Sequence, residues 1–166
     1  PVLTNTVQSP LPLLLLLLHL ETNDKPKIKN NIKQGCPQSG IANAGVVYEA
    51  PVEGDITRLM GIFEDYKDRE RIGSVRSCRD YYIFYANEFD AIYAHYGQSA
   101  FALPYFEQHL IDNLNGVKLG KICYFRSTDR KAPHNAYTTY DLLQQGIDKM
   151  GYRREYKEDY DGHYVF

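Results

Sequence analysis

The chain lacks tryptophan, lacks a Cys-x-x-Cys pair and lacks any surplus of positive charge. Its three cysteines, Cys36, Cys78 and Cys123, stand far apart, and no histidine sits at zinc-ligand spacing. Neither a metal nor any other cofactor is therefore expected. An odd cysteine count leaves at least one thiol free. A formal net charge of −2 argues against nucleic acid as a partner, because no basic excess exists to neutralise the phosphates of a duplex. There is no internal repeat, no P-loop and no nucleophile elbow. The leucine run at positions 13–18 falls well short of the ~20 apolar residues needed to cross a bilayer. It also lacks the basic residues ahead of it and the small-residue cleavage site behind it that mark a signal peptide.

What is present suits a globular domain. At 166 residues, with 43% apolar and 24% charged side chains, the chain can bury one real core. Tyrosine is over-represented, with 15 residues beside 7 phenylalanines. Tyrosine serves half-buried surfaces and partner or carbohydrate contacts, but strand and core positions are its commoner use.

Residues 1–12 are rich in Thr, Ser and Pro without periodicity, and residues 21–33 are polar and lysine-rich. With the leucines between them they read as an irregular N-terminal arm over residues 1–33, followed by one domain over residues 34–166. Pro37-Gln38-Ser39-Gly40 is a turn. Residues 45–50 and 56–63 read as strands, the second apolar throughout except for Arg58. A buried guanidinium needs a partner. Glu49 is the candidate for a structural pair with Arg58, and Glu53 is the alternative. Residues 64–71 read as a solvated charged loop. Residues 91–96 and 121–125 read as strands, 112–116 as a turn, and Ser99 as the start of a short helix delayed by Pro104. Residues 140–150 form a helix stopped by Gly151, with Thr138 and Asp141 as its capping box. Residues 152–166 read as an edge strand or a chain cut short. Strands alternating with helices predict an α/β fold: a single layered domain with a mixed β-sheet flanked by helices.

The chemistry concentrates in residues 71–89. A short apolar strand meets a Gly73-Ser74 turn, and Ser77 with Asp80 resembles a capping box for a helix carrying Tyr82, Tyr85 and Phe89 on one face. Arg76 and Arg79 would then flank a helix N-terminus, where unpaired backbone N–H groups favour an anion. Cys78 between them sits where thiol pKa values fall, although a small buried residue is the better reading of a lone cysteine.

Several stretches carry a family resemblance. They are Pro37-Gln38-Ser39-Gly40, Val47-Tyr48-Glu49-Ala50-Pro51-Val52-Glu53-Gly54, Thr57-Arg58, Ile72-Gly73-Ser74-Val75-Arg76-Ser77-Cys78-Arg79, Asp90-Ala91-Ile92-Tyr93 with His95 and Gly97, and Ala132-Pro133-His134-Asn135. Together, in this order, they resemble the N-terminal domain, of unknown function, of the YerB-like lipoprotein family of bacteria. The resemblance spans about residues 34–150. It implies an extracytoplasmic protein tethered to the membrane through a lipid anchor, with a second domain downstream. Neither the lipidated cysteine nor that domain is in this sequence, so the chain is expected to be a mature or truncated portion. The family usually has an apolar strand where this chain has residues 25–31. It also usually has glycine at Asp55, aspartate at Gly45, proline at Ser74 and alanine at Cys78.

The resemblance supplies no activity, so the residues must be read on their chemistry. Arg58, Arg76, Arg79, Arg126 and Arg130, with Ser74, Ser77, His95, His134 and Asn135, fall at strand ends or in loops after strands, the ligand edge of open α/β sheets. Arginine forks match phosphate and carboxylate oxygens. The first reading is a binding module for an anionic envelope ligand, such as a phosphorylated lipid, a teichoic-type polymer or a peptidoglycan fragment. It assigns Arg76, Ser77, Arg79, Ser74, Arg126, Arg130 and Asn135 to the ligand. The second is a hydrolase or transferase in which His95 or His134 acts as acid or base, oriented by Asp90 or Glu49. The third is a scaffold whose tyrosine-rich surface recruits other envelope proteins.

Overall fold

Six consecutive leucines cannot sort themselves by period, since every position is apolar. Such a run suits a strand inside a sheet that has layers on both faces. In the computed structural model, which describes residues 13–20, 35–54, 56–64, 66–67 and 70–160, that is where the run lies. Leu13–Leu20 is strand β1, the middle of a five-stranded sheet. The expected irregular arm over residues 1–33 is thus corrected at its centre, because partner strands on both sides satisfy this backbone. Residues 25–31, where the resemblance leads one to look for an apolar strand, lie outside the described residues, as do residues 1–12.

The remaining elements follow in order: β2 (Val46–Val52), β3 (Ile56–Phe63), β4 (Ile72–Gly73), α1 (Asp80–Asn87), β5 (Ile92–His95), α2 (Leu103–Glu107), β6 (Asn113–Asn115), α3 (Gly116–Leu119), β7 (Phe125–Arg126), β8 (Ala136–Thr138) and α4 (Tyr140–Met150). The large sheet has the order β2-β3-β1-β5-β6, and β4-β8-β7 form a small second sheet. Antiparallel pairing joins β2, β3 and β1, whereas β1, β5 and β6 run parallel. This is the mixed α/β architecture expected.

The period of two along each strand builds the layers. On β3, Leu59 and Phe63 join one buried cluster with Ile92, Ala94, Leu114, Leu143 and Ile147, under α4. Met60 and Ile62 point the other way and join Tyr82, Ile83, Ala86, Phe89 and Tyr93, under α1 and α2. Tyr82 is fully buried and donates its hydroxyl proton to the Arg58 carbonyl at 2.6 Å, tying α1 to β3. Tyr93, Tyr124 and Tyr137 are buried too, whereas tyrosines such as Tyr48, Tyr81 and Tyr85 pack half-buried against the clusters. Tyr66, from the segment read as a solvated loop, is buried as well.

Local signals were off by small steps. Helix α4 has the expected bounds and ends at Gly151 in the left-handed region (φ 67°). Its cap is Thr139, whose hydroxyl accepts from the Leu142 N–H, while Thr138 donates to the Cys123 carbonyl. Helix α1 starts from Arg79 without a side-chain cap, so Ser77 is not its capping residue. The Asn-Leu-Asn stretch expected as a turn is β6, because pairing with β5 and burial of Leu114 outweigh its turn-like composition. Residues 121–125 instead finish a 3-10 turn (Gly120–Ile122) and enter β7 only at Phe125. No strand forms over residues 152–160, and residues 161–166 lie outside the described set.

Candidate functional site

The extended segment 74–79 is laid across the C-terminal edge of β5. Val75 donates its N–H to the Ala136 carbonyl of β8, and Tyr96 donates to the Arg76 carbonyl. Cys78 donates to Gly97 and accepts from Ser99. Val75 enters one core cluster and Cys78 the other, while Arg76 and Ser77 between them stay half-buried. Arg58, near the end of β3 at that same edge, reaches the segment and donates to the Ser77 carbonyl at 2.7 Å.

Arg58 is only 5% exposed, and its Nε has no hydrogen-bond partner. Burial, then the charges of Arg79 and Arg76, lower its pKa from 12.5 to about 10. Arg76 is half-buried; it donates to the Pro133 carbonyl at 2.7 Å, and its buried Nε is likewise without a partner. Its pKa is lowered by burial first, then by Arg79 and Arg126. The buried Ser74 hydroxyl also lacks a partner, although its backbone N–H donates to the Gln38 side chain. Neither Arg58 nor Arg76 touches a carboxylate among the described residues. The site therefore holds one buried and one half-buried guanidinium without a carboxylate in contact among the described residues, with the partnerless Ser74 hydroxyl two residues before Arg76 in the same segment.

The expected Glu49–Arg58 pair does not form. Ala50, not Glu49, stands opposite Arg58 in the ladder, so Glu49 projects from the other face of the sheet and accepts from the Thr57 hydroxyl. The alternative, Glu53, is taken by Arg79, whose Nε and Nη2 grip it at 2.8 and 2.6 Å. The Arg79 Nη1 donates to the Ser77 and Cys78 carbonyls. Arg79 thus closes the start of α1 onto the β2–β3 turn, and its fork is committed internally.

The loop after β7 is stapled by Arg126, Arg130 and Asn135, which sequence reading assigned to the ligand and which here have internal partners. Arg126 donates to Asn135 Oδ1 at 2.7 Å and lies over the Tyr96 ring, and Asn135 donates to the Ser127 and Arg130 carbonyls. Arg130 reaches back to the Gly35 and Pro37 carbonyls. These contacts hold Pro133 and His134 against Arg76. Burial and then Arg76, Arg130 and Arg58 lower the His134 pKa, which keeps its imidazole neutral.

The other catalytic candidates are not brought together. His95 is fully buried, stacks on Phe106, donates from Nδ1 to the Gly97 carbonyl and has Nε2 at 3.1 Å from the Asn113 amide. Burial lowers its pKa, so it is a neutral core residue. Asp90 precedes β5, at the opposite end of the strand from the arginines. It anchors residues 153–157: Arg153 donates to both its oxygens, and Lys157 contributes its backbone N–H and ammonium. Sequence reading missed this anchor because its partners are more than 60 residues away. The Cys78 thiol, fully buried, is pushed up to about 12 by burial, and Cys78 and Cys123 form no disulfide. Among the described residues no three His, Cys, Asp or Glu side chains converge as a metal site, and no helix is long and apolar enough to cross a membrane.

These features define a mixed α/β domain with an arginine-rich strand edge. The N-terminal domain profile of the DUF3048 family, described as a protein of unknown function, matches residues 27–153, and the chain belongs to that family. It is 37% identical over 126 residues to the Bacillus subtilis (strain 168) protein named "Putative lipoprotein YerB", covering 76% of this chain and 38% of that one. The crystal structure of the YerB protein from Bacillus subtilis is also similar, with a TM-score of 0.75 at 31% identity over 90% of this chain and 47% of the other. The chain thus spans less than half the length of these relatives.

Proposed function

We propose that the domain binds a phosphate- or carboxylate-bearing ligand where Arg58 and Arg76 meet Ser74. One observation carries the reading: among the described residues both guanidiniums have carbonyl partners only, and each keeps a buried Nε without one. Buried charges in proteins are ordinarily paired, and this chain pairs Asp90 with two cations at the far end of β5. A ligand oxyanion would complete both forks through charge-assisted hydrogen bonds. The relative's printed name supports an extracytoplasmic setting at the cell envelope, so the ligand is sought among anionic envelope components.

The test is calorimetric titration with inorganic phosphate, pyrophosphate and muropeptides, which separates phosphate from carboxylate recognition. Arg76→Ala should weaken binding about tenfold or more, the loss of one charge-assisted hydrogen bond. Its thermal midpoint should change little. Binding unaffected by the substitution, or no binding of any of these anions, would refute the reading.

A further inference from the structure

Helix α3 (Gly116–Leu119) and the 3-10 turn Gly120–Ile122, which also packs on α4, form a surface segment that follows β6. From there to Arg126 the chain carries Lys118, Lys121 and Arg126 and no acidic residue, in a protein whose net charge is −2. None of these three cations is in an ion pair among the described residues. Apolar side chains alternate with them at the surface: Val117 is 67% exposed, and Ile122 and Phe125 are each 36% exposed. The side chains that anchor the segment are different ones. Tyr124 is buried and donates to the Leu114 carbonyl, and Gly116 lies so close to Tyr96 that a Cβ would come within 2.3 Å of its ring.

We infer that this surface segment docks the domain on an anionic phospholipid surface. Cations alone would suit any acidic partner, and exposed apolar side chains alone would suit a protein groove. A bilayer interface accepts both at once: headgroup phosphates meet the lysines while the apolar tips enter the headgroup–acyl boundary. The segment borders the arginine edge, since a Cβ on Gly97 would stand 3.5 Å from Val117 and 3.7 Å from the Ser77 hydroxyl. Docking would therefore face that edge toward the headgroups. The inference uses different side chains from the anion site and does not rest on it.

Flotation with phosphatidylcholine vesicles, with and without phosphatidylglycerol, tests it. Partition is expected only with phosphatidylglycerol and should weaken as salt rises. The pair Lys118→Glu and Lys121→Glu should lower partition about tenfold or more. The pair Val117→Ser and Ile122→Ser should lower it several-fold. Circular dichroism and the thermal midpoint check folding. If the charge-reversed pair does not fold, Lys121→Gln alone should move partition the same way by a smaller factor. Arg76→Ala, which probes the anion site, should still float. Absence of partition, equal partition onto both vesicles, or full binding by the serine pair would overturn the inference.

Discussion

Replacing Arg58 with methionine keeps an unbranched stem and removes the buried charge. The guanidinium titrates at about 10 against an ordinary 12.5, chiefly through burial. Carrying its charge in the folded protein therefore costs about 3 kcal/mol at neutral pH. The substitution also gives up the 2.7 Å bond to the Ser77 carbonyl, a charged hydrogen bond of roughly 1.5–3 kcal/mol. That carbonyl keeps Arg79 as a second donor at 3.3 Å, which softens the loss. The balance lies between zero and about 2 kcal/mol of added stability. An arginine held by a buried carboxylate would behave in the opposite way, with a loss of about 3–5 kcal/mol on breaking the pair. Urea denaturation at neutral pH decides between them, and pyrophosphate titration of the same variant should show affinity lost while stability is kept. A denaturation midpoint lowered by an amount equivalent to about 3 kcal/mol, with anion affinity unchanged, would refute both the charge accounting and the proposed site. The sign also fixes the pH dependence. The destabilisation by Arg58 is full below pH 10 and fades as pH rises from 10 toward 12.5, so the difference between the proteins narrows there.

Asp90→Asn tolerates the left-handed backbone at this position (φ 50°) and so isolates the loss of charge. It should cost about 2–3 kcal/mol by urea denaturation, because the carboxylate is buried while its partners Arg153 and Lys157 can be re-solvated. Burial raises the Asp90 pKa, but Arg153 and Lys157 outweigh it and the net shift is downward, so this contribution is present above the ordinary carboxylate range and is lost as pH falls below that range through the lowered folded pKa. Gly146→Ala should destabilise by about 1–3 kcal/mol, since a Cβ there would stand 2.0 Å from the Cys123 sulfur under α4; an unchanged thermal midpoint would show that the helix can shift. The lowered pKa values of His95 and His134 predict that stability is full above pH 6.5 and declines below it as the unfolded chain takes up the protons. His95→Gln should flatten that decline in denaturation midpoints measured across the range.

The fold class, the long helix α4 and strands β2 and β3 were legible in the sequence because each depends on local composition and local punctuation. A nearly unbroken apolar run marked β3, and Gly151 stopped α4 where a left-handed residue was needed. The arginine cluster was legible as residue types in loops after strands. What each arginine does was not. One position of register turns Glu49 away from Arg58, and the β2–β3 turn hands Glu53 to Arg79 instead. Such outcomes depend on which backbones lie side by side, and no local pattern encodes them. The same holds for the leucine run, whose uniform composition has no period to read and became a central strand only because β3 and β5 offer it edges. It holds for Asp90 too, neutralised by cations more than 60 residues away. Local propensity decided which elements exist; tertiary pairing decided which charges are left uncompensated at the sheet edge, because neutralisation depends on distance in space and not along the chain.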